Sequence, residues 1–153
     1  EQEMYRRIVA NKIRATFREI NAGNYQAMID SLADSFQYRF HGSHALGGTR
    51  TSKKTMILWW ERVNRLLPGA HFDVQDILVS GYPWRTRVAV LARVSGDLPG
   101  GERYQNTVFQ FFTLVWGKVT SIETCEDVQI LERALSIVAD NGQEEALAEP
   151  LED

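Results

Sequence analysis

Tyr104-Gln-Asn-Thr-Val-Phe-Gln-Phe-Phe-Thr-Leu-Val-Trp116, then Gly117-Lys118, then Val119-Thr-Ser-Ile-Glu-Thr-Cys125, is the stretch that decides the fold. Its first run is dense in aromatic and β-branched residues, which suit a pleated strand. Gly117-Lys118 reads as a tight reversal, and the second run resumes extended structure. Asp127 stands where a helix N-cap belongs, ahead of Val128, Ile130, Leu131, Ala134, Leu135 and Val138 at helical spacing. A strand pair feeding a terminal amphipathic helix predicts a curved sheet with something packed inside it.

Both faces of the long strand are apolar. Val108, Phe112, Leu114 and Trp116 share one parity, and Phe109, Phe111 and Val115 share the other. A sheet with one wet face would alternate apolar and polar residues. One face is therefore expected to cover the interior and the other to meet a partner. A homodimer through the sheet is the economical expectation. The competing arrangement is a monomer whose terminal helix covers the second face.

Upstream, Tyr5, Ile8, Val9, Ile13, Phe17 and Ile20 recur every three or four residues, which predicts an amphipathic first helix ending at Ala22-Gly23. Asn24 caps a short second helix with Tyr25, Met28, Ile29 and Leu32. Phe36 to Phe40 alternates as a strand and leaves into the glycine-rich loop His41-Gly-Ser-His-Ala-Leu-Gly-Gly48. Thr51-Ser52 caps a third helix stopped by Pro68-Gly69, with Trp59 and Trp60 about 100° apart, so that one lines the interior and the other the rim. Phe72–Ser80 and Arg87–Val94 are two more strands. Strands mostly follow helices instead of alternating with them, so the class is α+β. Residues 1–139 form one domain in this reading. The tail 140–153, with six acidic residues and no apolar periodicity, is expected to be flexible.

The chain has 153 residues, 44% hydrophobic, enough for one sizeable core. A net charge of −3 supplies no basic stripe for nucleic acid. No apolar run approaches the roughly 20 residues that span a bilayer, and no leader opens the sequence, so no membrane partner is expected. The lone Cys125 forms no internal disulfide, which points to the cytoplasm.

Several of these segments together resemble the nuclear transport factor 2-like superfamily, in particular its SnoaL-like branch. Leu32-Ala-Asp34 is similar to that family's helix exit, the 41–56 segment to its glycine-containing loop into the third helix, and Gly117-Lys118-Val119 with Asp127 and Leu131 to its closing strand and helix. The likeness spans about residues 5–138. It implies a cone-shaped α+β barrel, a curved and mostly antiparallel sheet wrapped around a long N-terminal helix and two shorter ones, commonly dimeric, around an apolar pocket. It does not imply one function, because this fold hosts isomerases, cyclases, hydrolases and carriers.

Three chemistries of the superfamily can be laid on this sequence. Where ketosteroid isomerase-like and limonene epoxide hydrolase-like members carry an Asp or Asn on the first strand, Phe40 stands, two residues after Tyr38. The hydrolase's Arg-Val-Asp reads Arg87-Val88-Ala89, and the cyclase Asp before the helix cap reads Thr124. None of these replacements abstracts a proton as a carboxylate does.

The candidate acid/base groups that remain are His41 and His44, beside a glycine at a strand exit. Tyr38, Phe40, Trp60, Arg87, Tyr104, Asn106, Phe112 and Thr124 are the candidate ligand contacts. Tyr104, Asn106 and Gln110 share a parity that supplies polar points in an apolar wall, and an inward Arg87 would need an anion. The three histidines have no neighbouring carboxylate pattern, so no metal is expected, and no cofactor. Cys125 is expected to be a buried small hydrophobe. The leading expectation is a pocket protein for a hydrophobic or amphipathic small molecule, lacking the carboxylates of characterised relatives. The alternatives are a cofactor-free isomerase, cyclase or lyase using a pocket His with Tyr38, and a non-catalytic dimeric interaction module.

Overall fold

The computed structural model describes residues 1–153. Four helices, α1 (Gln2–Asn21), α2 (Gln26–Ser31), α3 (Lys53–Leu66) and α4 (Val128–Asp140), pack with six strands. The strands are β1 (Leu32–Phe40), β2 (Gly48–Arg50), β3 (His71–Tyr82), β4 (Arg85–Asp97), β5 (Arg103–Val115) and β6 (Lys118–Glu126). They form one sheet in the order β2-β1-β6-β5-β4-β3. Only β1 and β6 run parallel, so the sheet is mostly antiparallel, and β2 and β3 are free edges. The expected curved sheet is thus an open cone and not a closed barrel. No helix is long and apolar enough to cross a membrane.

Local chemistry sets the helix ends. The Ser52 hydroxyl accepts from the Thr55 N–H, and the Asp127 carboxylate accepts from the N–H groups of Gln129 and Ile130. Helix α1 is tethered at both ends. The Tyr5 and Thr86 hydroxyls are hydrogen-bonded, and Asn21 exchanges two 2.8 Å bonds with the Phe72 backbone. Between those ties α1 buries Val9, Ile13 and Phe17 over the sheet.

Strand alternation sorts the faces as the sequence predicts. Val108, Phe112 and Leu114 are buried on the inner face, while Phe109, Phe111 and Val115 are exposed on the outer one. Trp116 departs from the inner set, because it sits in the β5–β6 turn and is 69% exposed. Both Trp59 and Trp60 are buried, against the expectation of one rim residue. The 41–48 loop covers the first, whose Nε1 donates to the Leu46 carbonyl at 2.9 Å. Helix α2 covers the second, whose Nε1 meets Met28 Sδ at 3.4 Å. Cys125 is exposed, since its parity places it on the outer face.

The acidic segment 140–153 also departs from expectation, for it packs back over α3. A 3-10 turn at Glu144–Leu147 buries Ala146. Glu145 pairs with Arg62 at 3.1 Å and Arg65 at 2.7 Å. Arg62 also donates to the Ala45 and Glu149 carbonyls, each at 2.9 Å. Asp153 accepts from Thr51 N at 2.7 Å and Thr55 Oγ1 at 2.9 Å. The acids read as a charge run are partners for donors spread over loop and helix.

The Arg65 and Arg62 hydrogen bonds hold the Glu145 carboxyl at about 2, below its ordinary 4.5. A depressed carboxyl stabilises the fold above its unfolded value and loses that contribution as pH falls through the folded one. Glu145→Gln is therefore expected to lower the urea midpoint at pH 6. The gap to the wild type should close as the pH falls from about 4.5 to 2. A gap that is unchanged at pH 2 would show that the clamp is not ionic.

Candidate functional site

A cavity of about 280 Å³ lies between α1 and the inner face of the sheet. Its walls are Tyr5, Val9, Ile13 and Phe17 from α1, Met28 from α2, Trp59 and Trp60 from α3, and Tyr38, Phe40, Phe112, Leu114 and Ile122 from the sheet. Such a lining removes apolar ligand surface from water, and the few polar groups within it fix orientation.

Those groups form two sets on neighbouring strands. In the first, Gln110 Nε2 donates to Thr124 Oγ1 at 3.0 Å, and Thr124 Oγ1 donates to Tyr38 Oη at 3.0 Å. This leaves the Tyr38 hydroxyl proton without an acceptor and Gln110 Oε1 without a donor. Burial pushes the Tyr38 phenol up to about 12, offset in part by the Thr124 hydrogen bond, so it stays protonated. The wall thus offers one O–H donor and one carbonyl acceptor to whatever enters.

The second set is built around Glu126, the last residue of β6, on the inner parity of Ile122 and Thr124. Its carboxyl accepts from the Tyr104 phenol and pairs with no cation. Tyr104 in turn accepts from Asn106 Nδ2 at 2.7 Å. The same Nδ2 donates to the Asp127 carbonyl at 3.0 Å, while Asn106 Oδ1 accepts from Asp127 N at 3.2 Å. Asn106 therefore locks the junction of β6 and α4 and aims the phenol at Glu126. Burial without a counter-ion raises the Glu126 carboxyl from 4.5 to about 7, although the Tyr104 bond works the other way. Such a group takes or gives a proton near neutral pH.

The residues expected at the site divide accordingly. Tyr38, Phe40, Trp60, Phe112 and Thr124 line the cavity. Tyr104 and Asn106 point inward and are buried, yet they stand behind Glu126 and not in the lining. Neither histidine lines the cavity. His44 is buried, with Nε2 3.1 Å from the His41 carbonyl and Nδ1 accepting from Leu46 N at 3.2 Å. Those partners require the neutral Nε2–H tautomer, and burial lowers the ring's pKa further from charge. His41 lies 3.7 Å from Glu123, whose parity is that of the outer face. Arg87 also points outward, because its neighbours Thr86 and Val88 are the buried pair on β4. Its guanidinium lies 4.8 Å from the Phe111 ring centre and meets no anion. The carboxyl that sequence reasoning missed was two residues along the strand from Thr124, on the same face.

The family model of the SnoaL-like domain matches residues 13–122. No curated protein sequence matches at a significant level. Among solved structures, PrhC from Penicillium brasilianum superposes with a TM-score of 0.77 at 16% identity, covering 92% of this chain and 93% of that one. IdmH from Streptomyces antibioticus, named as a candidate polyketide cyclase, gives 0.64 at 17% identity over 84% of this chain and 99% of its own. TerC, co-crystallised with polyporic acid, gives 0.68 at 16% identity over 82% and 96%. At these identities the likeness is one of fold.

The raised carboxyl has a thermodynamic signature. Between about 4.5 and 7 the native Glu126 holds a proton that the unfolded chain has released. Stability should therefore fall as pH rises through that window. Glu126→Gln removes the ionisation and keeps an acceptor for Tyr104. The variant is expected to match the wild type near pH 4 and to exceed it above pH 7, by up to about 3 kcal/mol. Equal stabilities at pH 4 and pH 8 would show that Glu126 titrates as an ordinary surface carboxyl.

Proposed function

The chain belongs to the SnoaL-like domain family, and from that premise we propose that it binds a largely apolar, oxygen-bearing small molecule inside the cone and moves a proton on it through Glu126. The observation that carries this reading is an unpaired carboxyl, raised to about 7, in the wall of an apolar cavity. As carboxylate, Glu126 removes a proton from a carbon beside a carbonyl, and the resulting acid returns it. The free Tyr38 hydroxyl donates to the oxygen on which charge develops. Tyr104 holds the carboxyl in place and stabilises its charged form. Phe40 and Thr124 stand in the cavity wall without a carboxyl, and Ala89 lies on the outer face, so this reading gives the acid/base work to a different position. A fold shared with IdmH and TerC, the latter co-crystallised with polyporic acid, supports a small organic ligand.

A second copy packing on the outer face remains the proposed assembly. It is supported by Leu78, Phe109, Phe111 and Val115, all exposed on that face. The register sets Leu78, Ala89 and Phe111 side by side across three strands. A reducing compartment is compatible with the single, exposed Cys125.

The test uses 1-tetralone, a flat ketone whose α-protons exchange slowly on their own. Hydrogen–deuterium exchange followed by NMR is expected to be accelerated by the protein, with a rate that rises with pH up to about 7. Glu126→Gln should lower that acceleration by about 10²–10⁴-fold. Binding of the ketone with no acceleration at any pH would leave a carrier and remove the proton-transfer role.

A further inference from the structure

The exposed residues of the cavity lining, Ile8 and Lys12 on α1 and Trp116 in the β5–β6 turn, mark its solvent side. Trp116 is there at a conformational cost. The turn has two residues, Trp116 and Gly117, between the paired Val115 and Lys118, with φ of 49° and 80°. Positive φ at both positions is the type I′ hairpin, which selects Asn, Asp or Gly at the first. Trp116 is the only non-glycine residue in the chain with positive φ. A bulky ring in that backbone region is strained, and such strain clusters at functional positions.

The strain does not serve packing, because the indole is 69% exposed. It does hold the ring at the cavity's edge. The backbone N–H of Trp116 donates to the Pro83 carbonyl at 2.7 Å, joining the two hairpin tips. Trp84 then lies 6.3 Å from Trp116, and Tyr82 stacks on Trp84 at 4.9 Å with 6° between planes. The result is a braced aromatic shelf continuous with the interior. Lys12, an exposed lining residue of the same cavity, carries an ammonium with no ion pair and no hydrogen bond.

We propose that this mouth is a second subsite, for the part of the ligand that the roughly 280 Å³ interior does not enclose. A planar aromatic or conjugated ring stacks on Trp116, and an anionic substituent on that ring reaches Lys12. The ligand class is therefore a flat-ring acid whose apolar end is buried and whose charged end stays at the rim. The proposal rests on reading the cavity as a ligand site. It is independent of Glu126 chemistry.

Two fluorescent probes of the same ring system separate its parts, 1-anilinonaphthalene-8-sulfonate and its neutral counterpart N-phenyl-1-naphthylamine. The full chain should bind both, the sulfonate more tightly. Trp116→Asn suits the turn and is expected to keep or raise the melting temperature while weakening both probes about tenfold. Lys12→Gln should weaken the sulfonate alone, by about fivefold. Phe111→Lys, on the outer face, should change neither. If Trp116→Asn and Lys12→Gln bind both probes as the wild type does, the subsite fails while the cavity stands. Binding lost in Phe111→Lys instead would put the probes on the outer face and overturn the subsite. If the wild type binds neither probe, cavity reading and subsite fall together. A wild-type dimer by light scattering that Trp116→Asn converts to monomer would assign the shelf to a second copy and overturn the proposal.

Discussion

A buried guanidinium is costly unless it is surrounded by acceptors and polarisable rings, and in this protein Arg50 draws those from four separate segments. Its side chain has no measurable exposure and no carboxylate in contact. Its two terminal nitrogens donate instead to the carbonyls of Gly47 at 3.0 Å, Gly48 at 3.1 Å and Leu151 at 2.7 Å, with a long contact to Leu46 at 3.5 Å, while Nε has no partner. The flat cation also lies over the rings of Tyr38 and Trp59, 5.4 and 5.3 Å from their centres. Loop, C-terminal segment, first strand and third helix thus share one hub. Burial lowers the Arg50 pKa from its usual value, yet the group stays charged, because no guanidinium deprotonates near neutral pH.

The hub explains why the cavity is open. Tyr38 and Trp59 are cavity walls, and Arg50 fixes both from behind. Trp59 and Trp60 are further held by their own N–H groups and pack edge to face at 4.9 Å. Rings anchored in this way do not turn inward to fill the space. An apolar, persistent void then determines the chemistry of any carboxyl in its wall. Glu126 lacks a cation to offset its burial, and its pKa moves toward neutrality for that reason. Framework and acid/base character have a common origin.

The elements were legible because their signals are local. The long apolar strand, the Asp127 and Ser52 caps and the face parity of Val108 to Val115 all follow from spacing along the chain. Much of the cavity lining was legible too, since strand parity carries Tyr38, Phe40 and Thr124 to one side together. What escaped were features that depend on partners distant in sequence. The acidic segment carries no apolar period, so nothing local reveals that Glu145 meets Arg62 and Arg65. Arg50 ends the short strand β2 just after a glycine-rich loop and gives no sign of burial until the Leu151 carbonyl arrives. Arg87 was a candidate contact on the condition that it pointed inward, and the burial of Thr86 and Val88 beside it turns it outward. Glu126 escaped because its neighbour Asp127 supplied an obvious role for an acid at that place, while the alternation of Ile122, Thr124 and Glu126 carried the better information.

In the proposed ligand site the two walls of the cone would have different parts. Helix α1 is held by polar ties only near its ends, at Tyr5 and Asn21. Between them its buried side chains, Val9, Ile13 and Phe17, are apolar, so in the proposed site that wall would select by shape. The sheet wall is a hydrogen-bonded ladder, and it carries the oriented polar atoms: the Tyr38 hydroxyl, the Gln110 carbonyl and the Glu126 carboxyl. Orientation would thus be referred to the sheet and fit to the helix. A carboxyl set on the helix would shift with each ligand admitted. At the β6–α4 junction Glu126 is instead tied to the sheet through Tyr104 and Asn106, apart from the apolar helix wall.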